Sequence, residues 1–560
     1  MRKRSTGLRL AIPLVAVALA VTACGGGDDS GAPKGSVAAI GTTNDINPHP
    51  AEDVREGGNL RLAVSSLPEN WNGMHNDGND ADTGALLKAT MPRAFRIDAA
   101  GVPTVNTDYF TSVELTNTNP QQVTYTINPK AVWSDGTPIT WEDIAAEAQA
   151  LSGKNKDYLI AINNGFDRVE KVEKGVDDRQ AVLTFNKHYA DWKGQFSGNA
   201  FLFPKSVSAN AEVFNKGFID GPTPSAGAFI VTSIDRAQNR IVLGRNPKWW
   251  GDTPKLETIT YSALDSAALI PALQNNEIDA VGIGSRDDLK TAQSTAGVVI
   301  RRAPGNQWSH LTFNGSPGSI LADPKVRVAI MKGIDRQGIA TAIQNGLVEN
   351  PKPLQNHVFL QGQQGYQDNS YAFDLQAAAK DLDDAGWKLN GDVREKDGRK
   401  LVIRHIMYND TSWVQMAQIM QQNLAQIGVK TEIITKPGKG YFTDVIQPGD
   451  FDMGFWSWVG DPFPFGSLNQ IWGYNPNDLQ GNYGRVGSPE VNAKIEEAVS
   501  ELDPEKAIKL ANEVDKMVWA EGHSAPLMQS PGNVAVRDNL ANFGAVGLAS
   551  YDYTKIGFLK

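Results

Sequence analysis

The chain runs to 560 residues and contains a single cysteine, Cys24. No intramolecular disulfide can form, so the fold must be stabilised by its cores. Histidine is scarce as well: the seven (His49, His75, His188, His310, His357, His405 and His523) include no i,i+4 pair and no His-x-His. A zinc or nickel cluster would have to be assembled from distant segments, and no cofactor is expected. No serine lies in G-x-S-x-G and there is no P-loop, so acyl transfer and nucleotide hydrolysis lack a motif. The reading is of a protein that is not an enzyme. Basic residues number 53 against 63 acidic ones, a formal charge of -10, which argues against a nucleic-acid surface. Long apolar runs are missing too. The one notable stretch, residues 8–20, falls short of the roughly 20 residues of a membrane span.

What is present begins with a secretory signal over residues 1–23. Arg2, Lys3 and Arg4 supply the positive start, residues 8–20 the apolar core, and Val21, Thr22 and Ala23 the small-residue approach to Cys24. A lone cysteine in this position resembles a bacterial lipobox, where it is diacylated and becomes the new N-terminus. Ordinary signal cleavage with an incidental thiol is the alternative. Residues 24–56 are glycine-rich and then polar, the composition of a flexible tether. The remainder is long enough for about three domain-sized units.

The most informative stretch is VTYTINPKAVWSDGTPITWEDI, residues 123–144. Val123, Tyr125 and Ile127 alternate with polar residues, which predicts a half-buried strand. Residues 134–138 (SDGTP) predict a turn. Thr140 with Asp143 at the third helical position predicts a capped helix. The same words resemble the signature W-x-D-G-x-P-h-T-x-x-D-h (h apolar) of the family 5 extracellular solute-binding proteins, the peptide- and nickel-binding lipoproteins of ABC importers. Trp133, Asp135, Gly136, Pro138, Thr140, Asp143 and Ile144 fall on it.

Further segments follow the family's order. IVLGRNPKWWG (241–251), LQNNEIDA (273–280), the D-P-x-V-R-x-A-I pattern from Asp323 and the A-G-W ending at Trp387 all resemble its motifs. Helical spacing over residues 411–427 followed by a strand pattern from Val429 indicates an α/β fold. The resemblance implies an α/β, two-lobed periplasmic-binding-protein-like architecture of type II, in the large peptide-binding subclass. It would carry an extra small subdomain and a hinge between lobes. Lobe I is expected from residues 57–95, 200–309 and 524–560, the extra subdomain from 96–199, and lobe II from 310–523.

The candidate site also rests on the resemblance. In peptide-binding members an aspartate in W-x-x-D holds the ligand's ammonium. Trp458-Val459-Gly460-Asp461 has that spacing, although Pro462-Phe463-Pro464-Phe465-Gly466 then replaces the family's usual continuation. Trp456 and Trp458 share one face of a strand by alternation, forming either a stacking wall or core. Trp71, Tyr441 and Asp444 occupy segments that face the ligand in the family. His310 lies at the expected crossing between lobes, as a ligand contact or a hinge residue. The implied function is an extracytoplasmic, lipid-anchored monomer on the outer face of the cytoplasmic membrane, capturing a small peptide and delivering it to ABC permease subunits. The same fold could instead bind a glycoside, a metal complex such as nickel or haem, or an opine-like molecule. It could also serve glycolipid or wall assembly without import.

Overall fold

The computed structural model describes residues 44–161, 163–437 and 440–560. The expected signal, the Cys24 lipobox and most of the tether lie outside them. Two principal sheets organise the chain. The first has the strand order Asn59–Val64, Thr258–Ala263, Arg240–Arg245, Phe229–Asp235. A three-stranded sheet, Ala280–Ile283, Asn533–Arg537 and Val298–Arg301, accompanies it. The second principal sheet has five strands in the order Lys430–Lys436, Val402–Tyr408, Met453–Val459, Gln307–Phe313, Ser524–Gln529. Its parallel portion joins Val402–Tyr408 to Lys430–Lys436 through the helix Thr411–Ala425, the right setting for a buried βαβ unit. One face is covered by that helix and by Pro324–Lys332, with Leu311, Ile330, Met420 and Phe455 in a common core.

The signature stretch builds a third, four-stranded antiparallel sheet, in which Gln121–Ile127 pairs with Phe110–Thr118 and Gln180–Phe185. Its alternation is read out directly: Val123, Tyr125 and Ile127 are buried and the residues between them are not. The turn needs Gly136, at φ +91°, where a side chain would be strained. The capping box then forms as expected: the Thr140 amide donates to Asp143 Oδ2 at 2.8 Å and starts the helix Trp141–Leu151. Trp133 Nε1 donates to the same carboxylate oxygen at 3.3 Å, and the Lys205 amide to Oδ1 at 2.7 Å. The residues that make this stretch recognisable are thus holding a turn and a helix start together. None of them lines a cavity described below.

The chain passes between the two principal sheets twice. It leaves the first region after Val298–Arg301, enters the second at Gln307–Phe313, and returns between Ser524–Gln529 and Asn533–Arg537. The two passages bond to each other: the Ser530 amide donates to the Gln307 carbonyl at 2.8 Å, and the Gly305 amide to the Ser530 carbonyl at 3.1 Å. Gly532 has φ +64°, and a Cβ there would lie 2.3 Å from the Ala303 carbonyl oxygen, so only glycine fits. His310, expected at the crossing, instead sits inside a fully paired strand of the second sheet. Strand pairing begins at Gln307, which moves the crossing to residues 302–306. Among the described residues no helix is long and apolar enough to cross a membrane.

Candidate functional site

Between the two regions lies a cleft of about 490 Å³, within the range of ligand sites. One wall comes from the first sheet, the helix Ala81–Thr90 and the segment following it, which present Asp82, Lys88 and Arg93. The second region contributes Gly460 and Pro462, and the crossing contributes Asn306. The Gly460 amide donates to the Asn306 carbonyl at 2.6 Å, so the end of the strand Met453–Val459 is pinned to the crossing.

Asp461 lies at this junction between Gly460 and Pro462, without itself being among the residues that line the cleft. Its Oδ1 accepts from the Phe463 amide at 2.8 Å and its Oδ2 from Asn199 Nδ2 at 3.2 Å. Gly198 permits the approach, since a Cβ there would lie 2.8 Å from both carboxylate oxygens. Burial pushes the Asp461 carboxyl up to about 6, against the opposing pull of these hydrogen bonds and of Lys88. A second carboxylate supports the loop. Asp191 Oδ2 accepts from the Phe465 and Gly466 amides at 2.5 and 3.3 Å, and burial raises it to about 7. The Pro462–Gly466 departure from the family pattern is therefore a turn clasped by two aspartates. Lys88 is pushed down to about 8, first by burial and then by the positive charge of Arg93, with Asp461 acting in the opposite direction.

The other expected site residues divide sharply. Trp456, Trp458, Tyr441 and His310 do come together, in an aromatic nest on the second sheet. The His310 ring stacks on Trp458 at 5.8 Å and meets Trp456 edge-on at 4.7 Å, while Trp458 stacks on Tyr483 at 6.3 Å on its own account. The Tyr441 hydroxyl lies 3.1 Å from the Ile406 carbonyl and 3.0 Å from that of Phe455. His310 Nδ1 is 2.9 Å from the Thr312 hydroxyl. Trp456, Tyr441 and His310 are all at most 2% exposed, Trp458 is half-buried, and none of the four lines the cleft. Trp71 belongs to the core of the first sheet with Leu60, Leu86 and Phe229; the expectation that it faces ligand gives way to packing. Asp444 is exposed and bonds to Thr443 Oγ1 at 3.0 Å, away from the cleft lining.

Lys88, Arg93, Asn199 and Asp191 escaped the sequence reading. One signal was available for Lys88, a single cation in the otherwise uncharged run GALLKATM (84–91). Nothing local marks the others: Asn199 and Asp191 meet partners 262 and 274 positions away, and Arg93 is brought to the cleft only by the fold.

A fold of two sheeted regions with a paired crossing and a cleft between them defines a solute-binding protein. The chain belongs to the bacterial extracellular solute-binding proteins, family 5, whose model matches residues 104–479. It is 56% identical over 525 residues to the oligopeptide-binding protein OppA of Mycobacterium tuberculosis, covering 93% of this chain and 88% of that protein. The periplasmic EDTA-binding protein EppA superposes with a TM-score of 0.84 at 25% identity, over 93% of this chain and 99% of that one. Bacillus subtilis AppA, an oligopeptide-binding protein solved with a nonapeptide, gives 0.76 at 18% identity, over 90% and 100%. The family's members bind solutes and are not enzymes.

Proposed function

We propose that this protein is the receptor of an ABC importer that captures oligopeptides in the cleft and hands them to a membrane permease. The similarity to a relative named for oligopeptide binding motivates the ligand class. The observation that supports the reading is the Asp461 carboxylate, held by the Asn199 and Phe463 donors between the cleft-lining Gly460 and Pro462. A carboxylate removed from water in this way is a partner for an ammonium group, whose own burial would otherwise cost several kcal/mol, of the order of 5. The two regions serve as lobes that close over the solute about residues 302–306 and 530–532. We assign lobe I to residues 57–95, 200–301 and 533–560, the extra subdomain to 96–199, and lobe II to 307–529. Diacylation of Cys24 anchors the monomer at the outer face of the cytoplasmic membrane, where tethering raises its concentration near the permease.

The test is to purify the full chain without refolding, denature it, and identify the released small molecules by mass spectrometry. A ladder of short peptides is expected. Glycolipid fragments or metal chelates, or a protein that binds nothing from a peptide mixture, would overturn the assignment.

A further inference from the structure

The cleft is lined by two cations. Lys88 lies in the last turn of the helix Ala81–Thr90 and Arg93 just beyond it, and both line the cavity. Among the described residues, neither the Lys88 ammonium nor the Arg93 guanidinium makes a hydrogen bond or an ion pair.

This is out of character for the protein. The four buried guanidinium groups elsewhere are well supplied with acceptors: Arg168 with Glu496 and the His188 carbonyl, Arg327 with four carbonyls, Arg336 with three, and Arg394 with Asp383, Ile427 and Trp387. Arg96, three positions past Arg93, is held by Asp108 and Asp552. Asp82 in the cleft lining and Asp461 beside it already have donors of their own. Asp82 accepts from the amides of Ser65 and Ser66 at 3.0 and 3.1 Å, and Asp461 from Phe463 and Asn199. Lys88 and Arg93 are also close enough to repel each other, as burial and that repulsion together lower the lysine. Two like charges gathered in a partly desolvated cleft are unfavourable unless an anion joins them.

We propose that Lys88 and Arg93 form a carboxylate subsite beside Asp461, so that the preferred solute carries an anion close to its ammonium. The inference rests on the oligopeptide reading above. For a peptide the anion is an acidic side chain at the first or second position, or the terminal carboxylate of a very short chain. An ammonium at Asp461 and a carboxylate between Lys88 and Arg93 would leave each of the five charges with a partner, and the planar guanidinium offers a paired donor edge that suits a carboxylate.

The experiment titrates the full chain calorimetrically with alanine tetrapeptides carrying glutamate or glutamine at the first or second position. Each is prepared with a free and an amidated carboxyl terminus, alongside dialanine in both forms. The glutamate peptides are expected to bind about tenfold more tightly than their glutamine counterparts. In the double variant Lys88→Met, Arg93→Met the ratio should fall to near one, while Lys88→Arg should retain most of it. A preference that follows the free terminus instead, and disappears in the double variant, places the terminal carboxylate in the subsite and upholds it. Equal affinities for glutamate and glutamine and for acid and amide in the unmodified protein would overturn the subsite and leave the oligopeptide reading intact. So would a preference unchanged in a double variant that melts like the parent. If no peptide binds, both readings fall.

Discussion

The aromatic nest around Trp456 and the cleft beside Lys88 meet along one strand, yet one is closed by ring packing and the other gathers charge. In the nest, rings cover one another, the Tyr441 hydroxyl is taken up by two carbonyls, and His310 leans on Thr312. In the cleft, two cations make no hydrogen bond or ion pair among the described residues, and beside it burial raises the Asp461 carboxyl to about 6. The nest is closed by packing, with Trp456 Nε1 and His310 Nε2 buried among rings and without a hydrogen-bond partner among the described residues. A region whose charges await a partner is set up for binding. The aromatic residues that seemed suited to ligand contact are packed away from the cleft lining, and on the reading proposed here the charged groups carry the recognition.

The sharpest way to break this contrast is Trp456→Ala. Loss of a fully packed indole should cost about 3–5 kcal/mol of stability, read as a lower urea midpoint. The folded remainder should bind peptide much as before. A variant of parental stability that no longer binds would move the nest into the site.

A smaller effect, in binding rather than stability, is expected of Asp461→Asn. Peptide affinity should weaken by more than about tenfold with little change in melting temperature, because the amide oxygen can still accept from Phe463 while the charge is lost. The pH dependence has the same origin. Asp461 titrates near 6, so its carboxylate form grows as pH rises through that value. Affinity for an amino-terminal ammonium should accordingly increase from about pH 5 to about pH 7.5, and the asparagine variant should lose that slope. Unchanged affinity in the variant would remove Asp461 from the site.

The smallest effect contrasts Asp461 with a carboxyl that no solute reaches. Glu147 is 0% exposed on the helix Trp141–Leu151, bonded to the Ser208 hydroxyl, and pushed by burial up to about 8. Between the unfolded value of 4.5 and about 8 the folded state holds a proton that the unfolded state has released, so stability declines as pH rises through that window. Glu147→Gln should raise the melting temperature by about 2 °C near pH 8, have little effect near pH 4.5, and leave peptide binding alone. A gain of equal size at both pH values would show that the proton is not the cause.

Much of the fold was legible because its determinants are local. Alternation over residues 123–127 and the Thr140–Asp143 box act within one strand and one helix end, and each formed where the residues placed it. The pairing of Trp456 with Trp458 on one face was equally readable, since alternation in a strand fixes which residues share a side. Alternation does not say what covers that side. Phe442, Phe451 and Tyr483 close over Trp456, and their arrival depends on chain folded back from elsewhere. For the same reason His310 was expected at the crossing: its segment is extended, but only pairing with both Met453–Val459 and Ser524–Gln529 decided that the strand begins at Gln307 and that His310 lies within it. The sequence alone determined the family, the α/β elements and the Asp461 candidate, since these are written in spacing and in turn chemistry. The tertiary structure alone decided that Lys88, Arg93 and Asn199 stand at the cleft by Asp461. Their proximity spans residues 88 to 461, and electrostatic desolvation is a property of the enclosed space rather than of any stretch of chain.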